Sequence, residues 1–199
     1  MKKFIAVLLI LTLTVPFFAA CDKNEVSEYD PNANYIAEID IKGYGTITVK
    51  LDSKTAPITV ENFVNLALDG FYDGLTFHRI MSGFMMQGGD PKGNGTGGSE
   101  KKIKGEFIAN GVANSISHKR GVISMARRGD SYDSASSQFF IMHADSPGLD
   151  GQYAAFGYVT DGMEVVDKVC AEARPIDSNG TIPASQQPVI KTITIKIAD

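Results

Sequence analysis

The chain has 199 residues, 43% hydrophobic and 21% charged, with 20 Gly, 11 Phe, no Trp and only 2 Cys. Such a length and composition describe one globular domain that buries its own core, and two cysteines exclude a disulfide-stapled miniature fold. A formal charge of −4 argues against a nucleic-acid partner, which needs clustered Lys and Arg, and 3 His leave little material for a metal site.

Met1-Lys2-Lys3 is a basic start, Phe4 to Val15 is almost wholly apolar, and Phe18-Ala19-Ala20-Cys21 closes the stretch with small residues before a cysteine. Residues 1–20 therefore read as an export signal rather than a permanent membrane helix. The end of this segment resembles the lipobox of bacterial lipoproteins, with Phe18 where that motif usually has Leu. The resemblance implies that Cys21 is lipidated and becomes the new N-terminus. An ordinary secretory signal with an incidental cysteine is the competing reading. Residues 21–34 are polar and acidic and are expected to form a flexible tether, with a reach of roughly 45 Å when stretched. Lipidation of Cys21 would leave Cys170 without a partner, and its apolar, helix-period surroundings mark it as a core thiol.

The domain is expected over 35–199. Tyr35 to Ile41 and Thr46 to Leu51 alternate around Gly43-Tyr44-Gly45, which predicts a β-hairpin. From Pro57 the period changes: Val60, Phe63, Val64 and Ala67 predict one amphipathic helix of about three turns, ended by Gly70. Leu75 to Gln87, Gly121 to Ala126 and Ser136 to His143 read as strands, Met163 to Ala173 as a second helix, and Ile190 to Ile197 as a closing strand. Many short strands and two helices favour a mainly β fold, a closed or nearly closed antiparallel barrel with helices over its ends.

Gly93-Asn94-Gly95-Thr96-Gly97-Gly98 spells the dinucleotide-binding fingerprint, but no apolar helical period follows it, so it is read as a loop. His78, His118 and His143 coexist with many Ser and Asp, yet no Ser sits in a G-x-S-x-G elbow, so nucleophilic catalysis is not expected. His78 is expected to bond a neighbour, and His143 a loop carbonyl. Period 2 places Phe77, Arg79 and Met81 on one face of a strand, and Gln138, Phe140 and Met142 on one face of another. By pattern alone, Arg79 serves equally well as a functional group among apolar residues or as a core-edge arginine reaching solvent or an acid.

FHRIMSGFMMQGGDP (Phe77 to Pro91), NGTGG (Asn94 to Gly98), SMAR (Ser124 to Arg127), SQFFI (Ser137 to Ile141) and LDGQYAAFG (Leu149 to Gly157) together closely resemble the cyclophilin peptidyl-prolyl isomerases. The resemblance covers the chain from about Tyr35 to its end. It implies a closed eight-stranded antiparallel barrel capped by two helices. It also implies cis/trans isomerisation of X-Pro bonds with no cofactor, metal or covalent intermediate. Arg79, Phe84 and Gln87 match the family's catalytic residues. Met85, Phe140 and Leu149 match its proline pocket. Gly95, Ala126, Arg127 and Gln138 match the groove for residues before the proline. Tyr153 stands where a histidine often walls the pocket, and Gly148 where a tryptophan often stands, which argues against tight binding of cyclosporin-type inhibitors.

The expected partners are Pro-containing segments of unfolded or flexible clients, and the membrane through the lipid. The chain is expected to be a monomer on the outer face of the cell membrane or its periplasmic side. A proline-segment-binding chaperone with incidental turnover is the alternative function.

Overall fold

In the computed structural model, which describes residues 26–198, the two alternating stretches form strands β1 (Tyr35–Ile41) and β2 (Gly45–Leu51). They pair antiparallel with Ile39 opposite Ile47 and Ala37 opposite Val49, so every second side chain enters one apolar interior. On the far side of β1 lies β8 (Ile190–Ile197), where Ile193 faces Ile39 and Ile195 faces Ala37. Residues 1–20, expected to be an export signal, and Cys21 lie outside the described residues.

Helix α1 (Pro57–Leu68) buries Val60, Phe63, Val64 and Ala67, the residues that share its predicted apolar face. Phe63 meets Phe139 edge-on at 5.5 Å and leans on Phe156 and Tyr72. Truncating such a buried ring costs about 3–5 kcal/mol. Ala56 offers no side-chain cap. The buried Glu106 takes that role from a distant loop, accepting hydrogen bonds from Ile58 N–H (3.1 Å), Thr59 N–H (2.7 Å) and the Thr59 hydroxyl (2.7 Å). Its carboxylate thus satisfies orphan donors at the positive end of the helix.

The remaining elements are β3 (Thr76–Met81), β4 (Met85–Asp90), β5 (Val122–Met125), β6 (Phe139–Met142), β7 (Ala155–Asp161) and α2 (Met163–Glu172). Among the described residues, the eight strands form one antiparallel sheet in the order β3-β4-β6-β5-β7-β2-β1-β8. Helix α2 packs on β2 and buries Val165, Val166, Val169 and Cys170. Cys170 is the expected core thiol, and burial pushes its pKa up to about 11.

Four features of the fold depart from the sequence reading. The barrel is open: its edge strands β3 and β8 form no ladder. The seam is crossed by the isolated bridge Thr76 to Val189 and by backbone bonds such as Phe77 N–H to Pro188 O and Ile190 N–H to Leu75 O. Pro188 has no N–H to extend that pairing. Further along β3, the loop at Gly180 to Ile182 covers the outer edge instead, through Ile80 N–H to Gly180 O and Ile182 N–H to His78 O.

Second, Phe77 does not share a face with Arg79. The β3–β4 register shifts between them, and this bulge turns Phe77 into the main core against Phe139 while Arg79 faces outward. Third, β7 is a strand that hydrophobic alternation does not reveal. Ala155, Phe156 and Gly157 are buried in succession, so the two-residue period is lost. Fourth, the described part of the expected tether lies on the domain. Val26, Tyr29 and Ala33 pack against the core, Tyr29 stacks on Tyr35 at 5.5 Å, and the Tyr35 hydroxyl donates to Asp30 O at 2.8 Å.

Candidate active site

Two apolar clusters divide the protein. The larger fills the inside of the curled sheet; the smaller lies on the outer face of β4, β6 and β5 and contains Met85, Phe140, Met142, Val122 and Ala155. Register explains the second. Gln87 lies opposite Phe140, which lies opposite Ser124, while the alternating Gly88, Phe139 and Met125 turn inward.

Over this outer cluster is a cavity of about 130 Å³. Phe84, Met85, Phe140, Leu149 and Tyr153 supply its apolar and aromatic walls, and Arg79, Gln87, Ala126 and Arg127 its rim. Nine of the eleven residues assigned by resemblance therefore meet in one place. The other two, Gly95 and Gln138, line an adjoining groove of about 710 Å³, which shares Gln87, Ala126 and Arg127.

Arg79 is half-buried and fixed from several sides. Its Nε–H donates to Asn179 O at 2.7 Å and an Nη1–H to Gln87 Oε1 at 3.1 Å, while Nη2 reaches only the Met81 thioether at 3.2 Å. Burial lowers its pKa, partly offset by Tyr153 and Asp177, and the guanidinium stays charged. Because Gln87 Oε1 accepts from Arg79, its Nε2 donates to Gln138 Oε1 at 2.9 Å; Gln138 Nε2 then donates to Gly97 O at 2.7 Å and Gly95 O at 3.2 Å. Each bond orients the next, and both amides are locked.

The glycine-rich loop at the end of this relay is indeed a loop, with no helix after it. It wraps the buried Asp90 carboxylate, which accepts N–H bonds from Lys92, Asn94 and Gly95. A Cβ at Gly97 would come within 2.0 Å of Asp90 Oδ1, so only glycine fits there.

Phe84 is held through its carbonyl, which accepts from the backbone of His143 (2.9 Å) and Ala144 (3.3 Å). The His143 ring bonds side chain and turn rather than a loop carbonyl: Nδ1 accepts from Gly83 N–H at 2.8 Å, and Nε2 lies 3.2 Å from Asp167. His78 departs from expectation too, since neither of its buried ring nitrogens has a partner.

Beneath the pocket Ser124, His118 and Asp150 form a hydrogen-bonded chain. His118 Nδ1 is 3.0 Å from Asp150 Oδ1, and Nε2 is 3.1 Å from Ser124 Oγ. Ser124 is fully buried, so its hydroxyl meets no substrate and the triad is not nucleophilic. It supports instead: the His118 ring stacks beneath Phe140 at 6.0 Å, and Tyr153 meets Phe140 edge-on at 5.8 Å. Asn179 and this support were missed in the sequence. The Asn179 carbonyl carries no side-chain signal, although the Asp177 turn that holds it was visible as Asp-Ser-Asn-Gly.

The model of the family described as "Cyclophilin type peptidyl-prolyl cis-trans isomerase/CLD" matches residues 36–196. The chain belongs to this family. It is similar to a Helicobacter pylori peptidyl-prolyl cis-trans isomerase, 49% identical over 127 residues, which cover 63% of this chain and 75% of that one. Peptidyl-prolyl cis-trans isomerase B of Bacillus subtilis is 48% identical over 118 residues, 59% of this chain and 78% of that one. A crystal structure of a Cryptosporidium parvum cyclophilin-type isomerase in the presence of the dipeptide Ala-Pro superposes with a TM-score of 0.71 at 28% identity, covering 82% of this chain and 99% of that one. The protein is therefore a cyclophilin-type isomerase of X-Pro peptide bonds.

Its buried histidines and hydrogen-bonded aspartates give this isomerase a two-stage response to acid. Burial lowers the pKa values of His118 and His78 from the ordinary 6.5, against the pull of Asp150 and Asp90. The unfolded chain then takes up these protons first, so their contribution is intact above pH 6.5 and declines as pH falls below it. Burial opposes ionisation of Asp90 and Asp150, but their hydrogen bonds prevail and hold both below 3.8, which adds a second loss under that pH. Thermal unfolding followed against pH is expected to show both stages, with His78→Leu reducing the upper one. A midpoint flat from pH 7 to 4 would refute this.

Proposed function

We propose that this isomerase works outside the cytoplasm, held at the outer membrane face by a lipid on Cys21, and speeds the folding of exported chains. Its catalytic residues on this reading are Arg79, Phe84 and Gln87. The observation that carries the site assignment is the guanidinium clamped by Asn179 O and Gln87 Oε1 at the rim of an aromatic pocket.

Uncatalysed X-Pro rotation takes tens to hundreds of seconds, because the amide has partial double-bond character. In the twisted state conjugation is lost, and the prolyl nitrogen gains a lone pair that accepts a hydrogen bond. An Arg79 N–H donates to that lone pair, an interaction stronger in the twisted state than in either planar form. A charge-assisted bond contributes roughly 1.5–3 kcal/mol, or about one to two powers of ten in rate. The rest comes from grip. Phe84, Met85, Phe140 and Leu149 hold the ring while the preceding carbonyl swings, and Gln87 keeps the guanidinium in place. Plain capture of proline would need the walls but not the clamped donor, which favours turnover over a chaperone role. The Ala-Pro dipeptide used with the Cryptosporidium parvum relative is a ligand of the class this pocket suits.

The basic, apolar and small-residue order of residues 1–20 supports the location. Fatty-acid labelling of cells producing the full chain is expected to mark the wild type and not Cys21→Ser, and the variant is expected to leave the membrane fraction. Label that persists on the variant would refute the anchor.

A further inference from the structure

The groove beside the proline pocket carries a sign of charge opposite to that of the whole chain. With 19 basic and 23 acidic residues the protein is acidic, yet Lys92, Lys102, Arg127 and Arg128 line this groove, and no Asp or Glu does. Glu100, two residues before Lys102, is exposed, and two other nearby acids are engaged away from the groove. Asp90 is 1% exposed and faces the backbone of its own loop. Asp133 accepts from Gly105 N–H and the Asn110 amide.

The cations are largely uncompensated. Among the described residues Lys92 has no ion-pair partner, and Lys102 Nζ donates only to Ser99 O at 3.2 Å. Arg127 donates to the carbonyls of Gln152 and Arg128 and lies over the rings of Tyr153, Tyr132 and Phe107 at 4.7, 5.0 and 5.3 Å, so its charge is fixed at the boundary of both cavities. Only Arg128 pairs with a carboxylate, Asp130, and that pair is 72% and 73% exposed.

We propose that this groove selects X-Pro segments carrying an acidic side chain one or two residues before the proline. The proposal rests on the isomerase reading of the adjoining pocket and adds the charge of the preferred substrate. A direct pair in water is worth roughly five-fold in affinity, and the effect is screened by salt because the Debye length falls from about 10 Å at 0.1 M to about 3 Å at 1 M.

The test uses the full chain in detergent and exchange spectroscopy on short X-Pro peptides, with no helper protease. Glu, Gln or Lys is placed at each of the two positions before the proline. At one position kcat/KM is expected to fall from Glu to Gln to Lys, with Glu over Lys by roughly ten-fold or more at low ionic strength. In 1 M salt that ratio is expected to approach one, and in the Lys92→Gln, Lys102→Gln double variant it is expected to drop several-fold.

Equal turnover of Glu and Lys peptides at low salt, or a Glu preference untouched by salt and by the double variant, overturns the proposal. Stronger competition by a short oligonucleotide than by an acidic peptide of equal charge also overturns it, in favour of nucleic acid. A chemical-shift titration separates the two readings. Glu-over-Lys affinity without turnover of any peptide supports the charge selection and overturns the isomerase assignment of the pocket.

Discussion

Arg79→Ala is expected to lower kcat/KM on a neutral X-Pro peptide by about one to two powers of ten, mainly through kcat, because the lost donor acts on the twisted bond. Thermal stability is expected to change little. The partners it leaves, Asn179 O and the Gln87 amide, lie at a solvent-reached rim where water replaces a guanidinium. Arg79→Lys is expected to recover only part of the loss. An ammonium keeps the charge but cannot hold Asn179 O and Gln87 Oε1 at once while presenting another donor to the substrate. Isomerisation by the alanine variant at the wild-type rate, measured by exchange spectroscopy, would remove Arg79 from the mechanism.

A second large effect, this one on stability, lies away from the pocket. Glu106→Ala strips three donors at the start of α1 of their acceptor: Ile58 N–H, Thr59 N–H and the Thr59 hydroxyl. Thr59 is fully buried, so water does not replace the carboxylate there. Leaving such groups unmatched costs about 3 kcal/mol, and for a domain of this size the melting midpoint should fall by about 6–12 °C. Activity at low temperature should survive, because α1 reaches the site only through intermediaries, such as Asn62 Nδ2 donating to Ser136 O and Phe63 packing on Phe139. A midpoint within about 2 °C of wild type would show that other groups satisfy the helix end.

Elements with a strong period of their own were legible in the sequence. The hairpin, both helices and β8 each show one buried face to a solvated surroundings, and that contrast is written residue by residue. The site residues were legible for a different reason: their motifs resemble a known family, whereas pattern alone left Arg79 undecided. Alternation misplaced Phe77, because a bulge adds one residue to β3, and nothing local announces which pairing the partner strand will take. It also missed β7, where neighbours cover both faces of the first three residues.

By itself, then, the sequence determined one mainly β domain, its two helices, the face each buries, the core thiol at Cys170, and, through family motifs, which residues line the candidate pocket. Tertiary structure alone decided that the sheet stays open at Pro188, that Glu106 caps a helix 47 residues before it, and that Asn179 steadies an arginine 100 residues away. It also gathered Lys92, Lys102, Arg127 and Arg128 around one groove in an acidic chain. Periodicity records only whether a position faces water or protein. Which distant group meets which depends on how the strands pair and the loops cross, and that follows from packing the whole chain at once.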